Sequence, residues 1–187
     1  MIPQYSFRLK FSVDEIINPD WKNPAGDEFF VKNYDSPNEW KTIITPKFLD
    51  LLDSTLPIVR LMVFNKPKSW TFEDAHVDPG ILYALNVVQT VKNSNAKMQW
   101  FDVIGQPFRE ISYSSSDTLY VNYKQENLNL VHEELLDNTV SIVQTNVPHR
   151  IKIGTSSRTC ISFRFRNKFK SWDEVYNFYQ SLGWVLN

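Results

Sequence analysis

From Pro57 to Arg166 the sequence breaks into about eight short runs rich in apolar or β-branched residues, each closed by a turn signal. Ile58 to Phe64 is a run of the buried-strand type. A second strand passes through His76, and Leu82 to Val91 makes a third. Met98 to Val103, Phe108 to Tyr113, Thr118 to Tyr123, Thr139 to Thr145 and Arg158 to Phe165 follow. The turns are supplied by Asn65 to Ser69 with Pro67, by Asn93-Ser94-Asn95, and by Gly105 with Pro107. Gln125 to Asp137 reads as a polar connection. Many short strands with such punctuation fold as a sandwich or barrel. The expected class is mainly β with flanking helices.

The rest of the chain is expected to surround that core. Tyr5 to Phe11 alternates as a strand does, and Pro19, Pro24, Gly26 and Pro37 then mark loops and short helix. Ile43 to Leu52 reads as a helix with Pro46 in its first turn. Ser171-Trp172-Asp173-Glu174 has the form of a capping box, and Gly183 supplies a stop, so a helix is expected over 171–183. The 187 residues suit one domain: an extension over 1–56, a core over 57–166, and the terminal helix.

Composition narrows the function. At a net charge of −1, a general affinity for nucleic acid or anionic membrane is not expected. The single cysteine, Cys160, excludes an intrachain disulfide and an all-cysteine metal site. That thiol, together with a first segment lacking the apolar core of a signal peptide, leads to the expectation of a cytoplasmic protein. No run of apolar residues is long enough to span a membrane.

Two stretches carry the chemistry. In a strand, residues two apart share a face, so His76 and Asp78 can present an imidazole and a carboxylate to one point. His149 can add a second imidazole from another strand. Two histidines and a carboxylate leave coordination positions open on an iron, which is what oxygen chemistry needs. The plainer alternative is a capped turn in which Asp78 serves local backbone ahead of Pro79-Gly80. His132, in a Glu-rich stretch, is expected to be solvated. Downstream of His149, the residues Arg158, Cys160, Ser162 and Arg164 share one strand face, and Thr159, Ile161, Phe163 and Phe165 share the other. The plain reading is a sheet with one wet side. The functional reading gives an arginine to a ligand carboxylate.

His76-x-Asp78, then His149, then Arg158 resembles the Fe(II)/2-oxoglutarate-dependent dioxygenases. Thr145-Asn146-Val147-Pro148-His149-Arg150-Ile151, followed by Arg158-x-x-x-Ser162-x-Arg164, is similar to the last two core strands of that superfamily. The resemblance covers roughly residues 57–166 and implies a double-stranded β-helix, or jelly roll. It implies that His76, Asp78 and His149 bind Fe(II), and that Arg158 pairs with the far carboxylate of 2-oxoglutarate. Arg164 is the second choice for that pairing, and Asn65 and Asn86 are candidate hydrogen-bonding partners of the cosubstrate. Cys160 stands where many members have serine, and a thiol is the weaker donor. The implied reaction hydroxylates a substrate while 2-oxoglutarate becomes succinate and CO2.

Two other classes remain open on the sequence: a cupin-like metal oxidase without 2-oxoglutarate, and a non-catalytic β-sandwich binding module. The substrate is open between a small molecule and a peptide or protein side chain. The basic run Arg164, Arg166, Lys168, Lys170 reads as a solvated strand end. The aromatic stretch from Trp21 to Trp40 reads as core packing, with a substrate pocket as its alternative use.

Overall fold

The computed structural model describes residues 2–23, 28–67, 74–90, 95–104, 109–113, 119–152, 154–166 and 169–186. Among these residues twelve strands run in chain order. The first six are β1 (Ser6–Arg8), β2 (Phe30–Tyr34), β3 (Ile58–Lys66), β4 (Ala75–Val77), β5 (Tyr83–Thr90) and β6 (Lys97–Val103). The others are β7 (Arg109–Tyr113), β8 (Leu119–Tyr123), β9 (Leu128–Leu135), β10 (Thr139–Gln144), β11 (His149–Lys152) and β12 (Arg158–Phe165). The same residues form four α-helices, α1 (Val13–Ile16), α2 (Pro37–Ile43), α3 (Pro46–Asp53) and α4 (Trp172–Ser181), and a short 3-10 turn at Gln125–Asn127.

The strands form two six-stranded sheets, ordered β1-β10-β5-β12-β3-β2 and β7-β8-β4-β11-β6-β9, with every pairing antiparallel. The fold is thus mainly antiparallel β with few helices. Within it the chain shuttles between sheets: β3, β5, β10 and β12 lie in the first, and β4, β6, β9 and β11 in the second. The β7–β8 hairpin extends the second sheet beyond β4.

The first sheet is buried on both faces, and period-two alternation sorts its side chains. Leu61 and Val63 of β3, Leu85 and Val87 of β5, and Ile161, Phe163 and Phe165 of β12 point outward into a core shared with Ile16, Ile43, Leu52, Val175 and Tyr179 of the helices. Ala84, Val88, Val143 and Cys160 point the other way and meet Met98 and Trp100 of the second sheet. The space between the sheets is therefore a second packed layer, and the face carrying Arg158 and Arg164 turns into it. A wet-sided sheet does not describe this strand: Arg158 is 4% exposed and Arg164 8%.

Several boundaries differ from the sequence reading for physical reasons. The helix expected over Ile43 to Leu52 is α3, which starts only at Pro46, while Ile43 ends the separate helix α2. Thr45, just before Pro46, is extended (φ −61°, ψ 140°), because the proline ring disfavours helical geometry in the residue ahead of it. Gln125 to Asp137 is not merely a connection, since it contains β9. This strand is at the sheet edge, paired only with β6, so its outward positions tolerate polar residues that hide the strand pattern. Asn65 and Lys66, expected in a turn, extend β3 opposite Thr159 and Arg158. The segment over 1–56 supplies both edge strands of the first sheet, β1 and β2, the latter within the stretch read as loops and short helix. Trp21, Phe30 and Trp40 pack against the helix-side core. Of the expected turns, 68–69, 93–94, 105 and 107 lie outside the described residues.

At the C-terminal helix, the Ser171 hydroxyl accepts the Glu174 N–H (3.3 Å), while the Glu174 carboxylate accepts from Lys170 N–H rather than from Ser171, so half of the capping box forms. Gly183 follows at φ +66°, in the left-handed region open to glycine. Among the described residues, no helix is long and apolar enough to cross a membrane.

Candidate metal centre

His76 lies in the middle of β4, and His149 opens β11 directly opposite it, so their side chains share the face turned to the first sheet. The rings stand 4.6 Å apart, centre to centre. Asp78 comes one residue after β4 ends, on the same side as His76 by strand parity. Ligand atoms of His76, Asp78 and His149 all lie within 4.8 Å of one another, so this group could hold a metal ion. His132 is elsewhere, half-exposed on β9 and stacked against Tyr5.

The outer contacts of the two imidazoles fix which nitrogen faces the centre. His149 Nδ1 stands 2.9 Å from the Val147 carbonyl oxygen. A carbonyl only accepts, so Nδ1 carries the proton and Nε2 keeps its lone pair. His76 Nδ1 makes a longer contact of the same kind, 3.4 Å to the Asp74 carbonyl. Burial pushes both imidazoles down from their ordinary value. For His76 the nearby His149 adds to the effect against the opposing pull of Asp78, and its pKa falls to about 3. For His149 burial outweighs the opposing pull of Asp78. Both rings are therefore neutral at pH 7, the form that ligates metal.

Asp78 has two different oxygens. Oδ2 stands 2.8 Å from an Arg164 nitrogen, a close charge pair whose angles fall short of an aligned hydrogen bond. Oδ1 is buried, has no hydrogen-bond partner, and faces His76 Nε2 at 3.6 Å. Burial pushes this carboxyl up, but Arg164 and the two histidines outweigh burial and hold it below the ordinary carboxylate range. A buried, ionised oxygen with no partner, set between two imidazoles whose protons point away, fits a hard divalent cation.

The centre opens into a cleft between the sheets. From the first sheet come Phe64 and Lys66 of β3, Asn86 of β5, and Arg158, Cys160, Ser162 and Arg164 of β12. From the second come His76, Met98, Tyr120, His149 and Ile151. The Tyr120 ring stands edge-on to His76 at 4.7 Å. Strand parity predicts the whole β12 set, including Ser162, which the sequence reading placed on this face without giving it a role.

The two arginines are differently engaged. Arg164 is committed to Asp78, whereas Arg158, almost wholly buried, has no acidic partner among the described residues. Beside it Cys160 is buried, which pushes its thiol up despite the neighbouring guanidinium groups, so it stays protonated. Asn86 Oδ1 and Ser162 Oγ, opposite each other on neighbouring strands, are buried without hydrogen-bond partners. Asn65 is not in the cleft. With β3 running through Lys66, parity turns Asn65 to the opposite face, where its Oδ1 accepts from Asn23 (2.9 Å) and from the Thr159 hydroxyl (2.9 Å). Of the basic run, Arg166 and Lys170 are exposed, Arg164 is not, and Lys168 lies outside the described residues.

No model of a known protein family matches the chain, and no curated protein matches it either.

Proposed function

We propose that this protein is an Fe(II)- and 2-oxoglutarate-dependent oxygenase of jelly-roll fold, which hydroxylates a substrate and releases succinate and CO2. One observation carries the reading. A single cleft holds His76, Asp78 and His149 within 4.8 Å of one another and, on the facing sheet, a buried Arg158 with no acidic partner among the described residues. A buried guanidinium is costly unless an anion meets it, so the cleft calls for an acidic ligand next to the metal. The jelly roll is supported by the alternation of β3, β4, β5 and β6, then β9, β10, β11 and β12, between two antiparallel sheets.

A bound Fe(II) would supply the redox chemistry and the open coordination positions that oxygen and the cosubstrate require. The chain's own groups prepare the site. His76 and His149 offer neutral nitrogens, and Asp78 offers a carboxylate that Arg164 keeps ionised and oriented. Arg158 takes the far carboxylate of 2-oxoglutarate through parallel charge-assisted hydrogen bonds. Asp78 already offsets the charge of Arg164, although Arg164 Nη1 is buried without a hydrogen-bond partner, and this favours Arg158 for that role. Asn86 and Ser162 offer hydrogen bonds to the remaining polar atoms of the cosubstrate. Burial between two packed sheets keeps bulk water from these groups.

The test is succinate release by protein purified without oxygen and supplied with Fe(II), 2-oxoglutarate and then air. Wild-type protein forms succinate, and Arg158→Ala abolishes it. If Arg158→Ala leaves oxygen consumption intact, a metal oxidase without 2-oxoglutarate is the better description. If the wild-type protein retains no stoichiometric iron or manganese, both enzymatic descriptions fail.

A further inference from the structure

The segment leading into His149 does more than deliver that ligand. β4 is only three residues long and ends at Val77, so Asp78 has no place in a sheet ladder. Its backbone N–H goes instead to the carbonyl of Thr145, at 3.0 Å. Thr145 makes two more bonds to the same turn. Its N–H donates to the Leu82 carbonyl (3.1 Å), and its hydroxyl donates to the Ile81 carbonyl (2.9 Å). The turn itself is closed by Ile81 N–H on the Asp78 carbonyl (3.2 Å) and passes through Gly80 at φ +74°. Thr145 thus grips the Asp78 turn at three points while only 2% exposed.

On its other side Thr145 is continuous with His149. The intervening residues are anchored to the second sheet: Phe101 N–H donates to the Pro148 carbonyl (2.9 Å), and the Trp100 indole N–H to the Gln144 carbonyl (3.0 Å). Val147 contributes the carbonyl that orients the His149 ring. One short segment therefore determines where both Asp78 and His149 stand.

We propose that Thr145 is a positioning residue, whose hydroxyl fixes the spacing between Asp78 and His149 and so sets how tightly the centre holds its metal. The proposal rests on the metal-centre reading above. Valine has the shape of threonine without the hydroxyl, so Thr145→Val releases Ile81 and loosens the Asp78 turn while keeping the packing. Serine restores the donor.

The experiment titrates metal-free protein with Co(II), following its absorption spectrum, alongside the melting temperature of the metal-free form. Groups that orient metal ligands typically change affinity about 10–100-fold. Thr145→Val is expected to weaken Co(II) binding by that factor and to alter the spectrum, and Thr145→Ser to return both to near wild type. Gly80→Ala perturbs the same turn from an exposed position, where its left-handed φ strains any side chain. It provides the affinity comparison even if the valine variant does not fold. Unchanged Co(II) affinity in the folded variants overturns the proposal, whatever happens to their melting temperature. If wild-type protein binds no Co(II), the metal-centre reading fails and takes this proposal with it. If wild type binds and the variants bind equally, only the role of Thr145 fails.

Discussion

Replacing Arg164 by glutamine tests the electrostatic design of the centre. The guanidinium stands 2.8 Å from Asp78 Oδ2, and both side chains are at least nine-tenths buried. At that distance, with an effective dielectric near 20, the gross attraction is about 6 kcal/mol. Much of it offsets desolvation, so the useful figure is the penalty for stranding one partner, about 3–5 kcal/mol. Asp78 can escape the penalty by taking up a proton, and this makes the effect depend on pH. In wild type the folded carboxyl lies below its unfolded value, so its contribution is complete above about pH 4 and lost as pH falls through the folded pKa. In Arg164→Gln burial acts without its main opponent and raises the folded pKa above the unfolded one. Stability then falls as pH rises from about 4, by roughly 1.4 kcal/mol per unit, until Asp78 ionises. The assay is urea unfolding of metal-free wild type and variant from pH 5 to 8. The stability gap is expected to widen with pH and to narrow when saturating Mn(II) is added. A gap that is small, under about 1 kcal/mol, or independent of pH would refute the reasoning.

Other outcomes follow from the same geometry. Metal-free wild-type protein should lose stability as pH falls below about 6.5, by roughly 1.4 kcal/mol per unit from His76, whose pKa of about 3 keeps it neutral while the unfolded chain protonates, with depressed His149 adding in the same direction. Denaturant unfolding at pH 7 and 5.5 measures this, and His149→Gln should reduce the slope. Phe163→Ala removes a fully buried ring from the helix-side core and should destabilise the fold by about 3–5 kcal/mol, read from the urea midpoint at unchanged m-value. Ser171→Ala removes the half-formed cap of α4 and should cost about 1 kcal/mol with no change in metal affinity.

The parts of the structure legible in the sequence are those governed by parity. The alternation from Arg158 to Phe165 assigns every residue of β12 to its observed side, and His76-x-Asp78 places two ligand groups on one face. Parity also explains the failures. Ending β3 at Phe64, two residues early, conceals that Asn65 and Lys66 alternate like the rest, and so misplaces Asn65. Parity cannot choose between Arg158 and Arg164, which are on the same face. The path of the chain after β4 brings Asp78 to Arg164 and leaves Arg158 without an acid among the described residues. The arginine face looks wet because arginines usually are; that it is buried depends on a second sheet whose edge strand, β9, is disguised by Asn129, His132, Glu133 and Glu134. The work of Thr145 was hidden for another reason: its bonds run to backbone atoms far away in the sequence, and nothing in a threonine's neighbours announces them.

One cleft is proposed to hold a metal through His76, Asp78 and His149 and an acidic cosubstrate through Arg158. Calorimetric titration of 2-oxoglutarate under anaerobic conditions tests it most directly, using wild-type and Arg158→Ala protein with and without Mn(II). Saturable binding only in wild type, and only with Mn(II), is the predicted result. Binding that is indifferent to Mn(II) or to the loss of Arg158 would contradict it.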